Sequence, residues 1–244
     1  MVCLILFAVK PNPKYRLVVA ANRDEFYSRP AYPARLWDDH PEILAGRDAE
    51  MGGTWLGVNR QGKFAAVTNY RETPPVKIPP RSRGELPLRY LAGNKDASAY
   101  AASIVPKAND YRGFNLLAAD DFSVQYLCNR TGETKTLING YYGLSNQVLN
   151  CSWPKVSLGR KQLKQSLDNI EDELSERLFD ILMDSGDGRE FSNSFISGEE
   201  YGTRAMTVVL IGRDGDIYFE ERTFGINGKA IGNESFSINH TDDF

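Results

Sequence analysis

Residues 18–30 read VVAANRDEFYSRP. A run of Val and Ala passes without a turn into Asn22-Arg23-Asp24-Glu25, and an aromatic residue and then a proline follow. The apolar half reads as a core strand, while the polar half is what such a strand has no ordinary reason to bury. Either the chain surfaces there, or the strand delivers these side chains to a site. The neighbouring sequence favours the second reading. Apolar runs at about 2–9 and 15–21 flank KPNPK, whose two prolines and Asn form a hairpin connection. In such a hairpin the end of the second strand lies beside the start of the first. Cys3 then becomes a spatial neighbour of the Asn-Arg-Asp cluster, in which the strand is expected to end.

The 244 residues are ample for a core and are read as a single domain over 1–244. With 41% hydrophobic and 25% charged residues, the composition is that of an ordinary globular protein. A net charge of −3 offers no nucleic-acid footprint. No run approaches the roughly 20 apolar residues a membrane helix needs, so no transmembrane segment is expected. LILFAV at 4–9 has no basic flank and no small-residue cleavage site, and reads as a buried strand rather than a signal peptide.

Cys3, Cys128 and Cys151 are odd in number and lack metal-ligand spacing, which makes a reducing, cytoplasmic setting the default. Sequons at Asn129, Asn150 and Asn233 carry little weight in such a compartment. The two histidines, His40 and His240, lie far apart, which argues against a Ser-His-Asp or Cys-His hydrolase and against a His-rich metal site. No metal or cofactor is expected, and the partner that remains is a small-molecule ligand or substrate.

Residues 29–52 read as irregular, with three prolines and many charges. GTWLGVN (53–59) and KFAAVTNY (63–70) flank RQG as a second hairpin, and 71–84 is a proline-rich loop. Helices are predicted at about 85–92 and 96–105, the second capped by Asp96. A strand meander with a turn at Arg130-Thr131-Gly132 follows. Further helices are expected at about 158–169 and 171–184, the latter with Leu174, Leu178, Ile181 and Leu182 on one face. AMTVVLIG and DIYFEERTF flank Arg213-Asp214-Gly215, an Asp-Gly hairpin. Strands early, middle and late, with helices in two blocks, make an α+β pattern of antiparallel sheets covered by helices.

Several of these residues carry chemistry as well as structure. Cys3 is either a small core residue or a nucleophile near the chain start, where an α-amino group can activate a thiol without histidine. An Arg beside it lowers a thiol's pKa, and an Asp can hold the amine or the Arg. Period-2 alternation sends Asn22 and Asp24 to one face and Arg23 to the other. Glu25 reads as solvated or salt-bridged. Asn69 and Asn146 are either turn formers or oxyanion donors. Arg204 is a surface arginine or a bidentate anion binder. Trp55 is a core residue or a stacking platform.

Taken in order, these pieces resemble the NRDE-motif family, also called the transport and Golgi organization family. The resemblance rests on Cys3 before a short strand, ANRDE, GGTWLGVN with a following TNYR, GLSN and YGTR, nearly the whole chain. It implies the fold of N-terminal nucleophile hydrolases, a four-layer αββα sandwich similar to cysteine amidases that cleave penicillin V and conjugated bile salts. Carried over by motif, Cys3 is the nucleophile, Asp24 sits near its amine, Asn69 and Asn146 take oxyanion and active-site positions, and Arg204 is the second arginine. Asn22, Arg23 and Trp55 fall among the ligand-binding residues. The sequence departs from that pattern at Ala21, which holds the place before Asn22 where those amidases carry the arginine, so that Arg23 follows the Asn instead, and at Val2, which separates Cys3 from Met1. The resemblance leaves two functions open: hydrolysis of linear amide bonds, or binding of a hydrophobic ligand such as haem or an acyl-CoA.

Overall fold

The computed structural model describes residues 3–72, 81–168 and 173–239. Strands β1 (Leu4–Val9), β2 (Tyr15–Phe26), β3 (Ala31–Leu36), β4 (Ile43–Asp48), β5 (Leu56–Asn59) and β6 (Phe64–Asn69) lead into helices α1 (Glu85–Leu91) and α2 (Ala97–Ile104). Strands β7 (Phe114–Ala119), β8 (Val124–Cys128), β9 (Glu133–Leu137) and β10 (Gly140–Leu144) come next. Helices α3 (Pro154–Asp168) and α4 (Leu174–Leu182) then precede strands β11 (Tyr201–Gly212), β12 (Ile217–Phe224) and β13 (Ala230–Ile238). The chain divides into two compact units. One comprises Met1–Arg29, Asn139–Ser145 and Leu149–Phe244; the other comprises Pro30–Ile138 and Asn146–Val148.

The first unit is a six-stranded antiparallel sheet in the order β10-β1-β2-β11-β12-β13. Alternation along the strands decides which side chains meet the helices. Leu4, Leu6 and Ala8 of β1, Val18 and Ala20 of β2, and Met206, Val208 and Leu210 of β11 pack with Val156, Leu163 and Leu167 of α3 and Leu178, Phe179 and Leu182 of α4. Each such leucine or phenylalanine withdrawn from water contributes roughly 1.5–3 kcal/mol. Gly159 lets α3 lie close on β1: a Cβ there would stand 2.6 Å from Leu6 Cδ1.

The second unit is a seven-stranded antiparallel sheet in the order β3-β4-β5-β6-β7-β8-β9. Ile43, Ala45, Ala65, Leu116 and Ala118 pack against Leu86, Tyr90 and Leu91 of α1 and Ala97, Tyr100 and Ile104 of α2. Asp96 caps α2 as expected, its carboxylate accepting from the Ala99 N–H at 2.7 Å. The class is α+β, with two sheet layers and a helix layer against each.

Three expectations are corrected. Residues 29–52 are not irregular, because β3 and β4 form within them. The prolines misled: β3 is the edge strand, and Pro33 sits in the register shift between Tyr32 and Arg35, where a missing N–H costs no ladder bond. The helix expected from about 158 begins at Pro154, since proline fits the first turn of a helix. Most consequentially, β2 does not end in the Asn-Arg-Asp cluster but runs through it to Phe26, because β11 continues to pair with it there. Strand β13 was not anticipated; its residues are largely exposed at the sheet edge, so burial imposed no readable pattern. The proline-rich loop read over 71–84 falls mostly on residues 73–80, outside the described residues.

Gly159→Val forces a branched side chain into Leu6 beneath α3. It is expected to lower the unfolding free energy by about 1–3 kcal/mol, as overpacked core positions do. Urea unfolding checks this, and an unchanged midpoint would show that α3 does not rest on β1 this closely.

Candidate active site

The register of β1 against β2 pairs Leu4 with Asn22, which brings Cys3 opposite Arg23. On the other side of β2, Thr203 pairs with Asp24 and Ala205 with Arg23, so Arg204 is the extra residue of a β-bulge. The polar tetrad is therefore held inside a sheet, and Asn22, Arg23, Asp24 and Glu25 are all buried.

Asn22 is tied to the helix side. Its Nδ2 donates to the carbonyls of Leu182 (2.9 Å) and Ser194 (2.8 Å), linking the end of α4 and the following loop to β2. Asp24 Oδ1 accepts from Thr203 Oγ1 at 2.7 Å, and that hydroxyl in turn accepts from the Ile196 N–H at 2.9 Å. Asp24 Oδ2 is buried without a hydrogen bond among the described residues. Arg23 Nη2 lies 3.9 Å from Glu25 Oε2, and Arg29 Nε is 4.0 Å from the same oxygen, so Glu25 is salt-bridged. Ser145 Oγ donates to the Cys3 carbonyl, fixing the start of β1 against the end of β10.

A further charged group enters from α3. Lys155 is the second residue of that helix and is 1% exposed. Its main-chain N–H donates to the Phe191 carbonyl at 3.1 Å. Its Nζ is buried and makes no hydrogen bond among the described residues. A cation in the first turn also faces the positive end of the helix dipole.

The three ionisable groups distort one another. Burial pushes the Asp24 carboxyl up from 3.8 to about 6, opposed by the Lys155 charge and the Thr203 hydrogen bond. Burial, then the Asp24 charge, pushes the Cys3 thiol up from 9.0 to about 11; the Asp24 main-chain N–H, Arg23 and Lys155 pull it back. Burial lowers the Lys155 amine below its usual 10.5, while Asp24, Cys3 and Cys151 oppose that shift. Each group is thus biased to its neutral form, and each favours ionisation of an opposite neighbour.

The other sequence candidates are engaged as follows. Arg204 Nη1 donates to the carbonyls of Phe26 (3.0 Å), Tyr27 (3.4 Å) and Arg29 (2.9 Å), committing it to the turn after β2. In the second unit, Asn146 Nδ2 donates to the Asn69 carbonyl at 2.7 Å, and the Arg71 N–H to the Asn146 carbonyl at 2.8 Å. Trp55 packs its ring where a Cβ on Gly46 would stand, 2.3 Å from Cζ2. The structure thus gathers Cys3, Asn22, Arg23 and Asp24 in one unit and joins Asn69 to Asn146 in the other.

Sequence reasoning missed Lys155 and Thr203. Thr203 lay within the quoted YGTR motif, one residue from the arginine that drew attention. Pro154 was the available signal for a helix start at Lys155, but nothing in the sequence marks that lysine as buried. Among the described residues, no three His, Cys, Asp or Glu side chains cluster as a metal site, and Cys3, Cys128 and Cys151 form no disulfide. No helix of the described residues is long and apolar enough to cross a membrane.

The fold and site define an α+β protein whose first sheet buries an aspartate, with a part-buried cysteine at the start of its first strand and a buried lysine on the helix packed against it. The chain belongs to the family described as Transport and Golgi organisation 2, whose model matches residues 2–225. It is 35% identical to the cattle Transport and Golgi organization protein 2 homolog over 256 residues, covering 91% of this chain and 92% of that protein. The human homolog is likewise 35% identical, over 257 residues and with the same coverage. Among solved structures, an N-acylethanolamine-hydrolyzing acid amidase ortholog from Caenorhabditis elegans aligns with a TM-score of 0.45 and 9% identity, covering 85% of this chain and 92% of that one.

Because the Asp24 value stands above that of the unfolded chain, the native state holds this proton more tightly. The stabilisation is fully present below about pH 4 and is lost as pH rises through 6, a span worth about 3 kcal/mol at 1.36 kcal/mol per unit. Asp24→Asn removes this slope. Relative to the wild type, the variant's urea-unfolding free energy should therefore rise by about 3 kcal/mol from pH 4 to pH 7. A difference that stays constant across that range would contradict the raised value of this carboxyl.

Proposed function

We propose that the protein is an amide hydrolase that cleaves small-molecule C–N bonds through an acyl-thioester on Cys3. What carries this reading is the position of Cys3 at the open end of β1. Its thiol is held against the Asp24 main-chain N–H and within the field of Arg23 and Lys155. The thiolate attacks the amide carbon, and the tetrahedral adduct collapses with the proton passing to the departing nitrogen. Water then releases the acid and restores the thiol.

A thiol near 11 is protonated at neutral pH, so the reaction needs a proton acceptor. Removal of Met1 and Val2 would leave the α-amino group of Cys3 beside its own sulfur, with the Asp24 carboxyl positioned to hold that amine. This is the arrangement the resemblance implies. The same raised thiol favours a second reading, in which the protein binds a hydrophobic ligand such as haem or an acyl-CoA and the cysteine performs no turnover.

The two readings part on one experiment. The protein is incubated with a panel of N-acyl amides, product acids are measured, and intact mass with N-terminal sequencing reports the first residue. Hydrolysis abolished by Cys3→Ala supports the first reading. No hydrolysis by the wild type, together with a ligand that copurifies or a Soret band on haem titration, overturns it in favour of the second.

A further inference from the structure

The alternation of β11 changes phase at one point. Met206, Val208 and Leu210 face the helices. Uninterrupted alternation would give that face to Arg204 and turn Thr203 away from it. The bulge at Arg204 inserts one residue, so Thr203 stands opposite Asp24 instead, on the face that Asn22 shares. A bulge used in this way re-aims a side chain. Thr203 is then held from the far side. Its main-chain N–H donates to the Ile196 carbonyl at 2.8 Å, and the Ile196 N–H donates back to Oγ1 at 2.9 Å.

A hydroxyl has one hydrogen to give. Thr203 is fully buried, and its Oγ1 stands 2.7 Å from Asp24 Oδ1. A proton on Oδ1 would turn that bond round and strand the Thr203 hydrogen inside the sheet, at the full cost of an unsatisfied buried donor. Oδ2 carries no such penalty, since it is buried and makes no hydrogen bond among the described residues.

We infer that Thr203 is a positioning residue for Asp24: it commits Oδ1 as an acceptor, makes Oδ2 the oxygen that gains and loses the proton, and favours the carboxylate over the acid. Only the catalytic consequence rests on the proposed hydrolysis, in which an ionised Asp24 holds the Cys3 amine through Oδ2. Among the described residues, the charged and titratable groups acting on this carboxyl are Lys155 from α3, Arg23 on β2 and Cys3 ahead of β1. Burial raises it to about 6, and Lys155 and the Thr203 bond oppose that rise.

The test is a carbon-13 NMR titration of the Asp24 carboxyl in the wild type, Thr203→Val and Thr203→Ser, with thermal melting to verify folding. Loss of a hydrogen bond to an ionised group should move the Thr203→Val midpoint up by about one pH unit or more. Thr203→Ser keeps the hydroxyl and should titrate with the wild type, an outcome that mere packing by Thr203 would not produce. A Thr203→Val midpoint equal to that of the wild type overturns the inference.

If Thr203→Val does not fold, the wild type decides. Its Thr203 hydroxyl proton should be protected from exchange and should shift with the Asp24 midpoint; a hydroxyl proton unmoved through that titration overturns the inference. In amide hydrolysis, the acid limb of the Thr203→Val profile should rise with the carboxyl. A wild type that hydrolyses no amide while Thr203→Val still moves the midpoint overturns the hydrolase reading and supports the positioning role, so the two failures are distinct.

Discussion

The Asp24 carboxyl accepts a hydrogen bond from Thr203 in the interior of a six-stranded sheet, with 1% of the residue reaching solvent. A charge so placed is costly unless it is bonded or neutralised, and the surroundings are arranged around that cost. Thr203 is itself fixed by the Ile196 N–H, and the bulge at Arg204 sets the register that brings Thr203 opposite Asp24. Asn22, two residues earlier on the same face, ties the strand to the end of α4 through two carbonyls.

Cys3 and Lys155 share this environment, and the electrostatics of the three cannot be separated. Burial favours thiol, amine and neutral carboxyl, while each opposite pair favours ionisation. Both functional sites and structural ion-pair networks perturb pKa values in this way. The same physics separates Arg204 from the cluster: three carbonyls of the turn after β2 occupy its guanidinium. It stabilises the path of the chain beyond the tetrad.

Much of this was legible in the sequence because it rests on local rules. Turn residues and period-2 alternation gave the first hairpin, and the hairpin gave the adjacency of Cys3 to Arg23. Asp96 announced the start of α2. What stayed hidden depends on partners distant in sequence. The NRDE stretch looked like a strand end because its polar residues suggested exposure, yet β11 pairs with it through to Phe26. Pro33 disguised an edge strand. Lys155 lies in a polar stretch whose burial is decided by the seating of α3 over Leu6, through Gly159, and no motif expresses that approach.

The buried state of Asp24 is open to direct observation by a carbon-13 NMR titration of its carboxyl carbon in the folded protein. The cluster described here requires a midpoint of about 6. A midpoint near that of an ordinary aspartate, about 3.9, would contradict the account, since the Lys155 charge and the Thr203 hydrogen bond would then cancel the effect of burial.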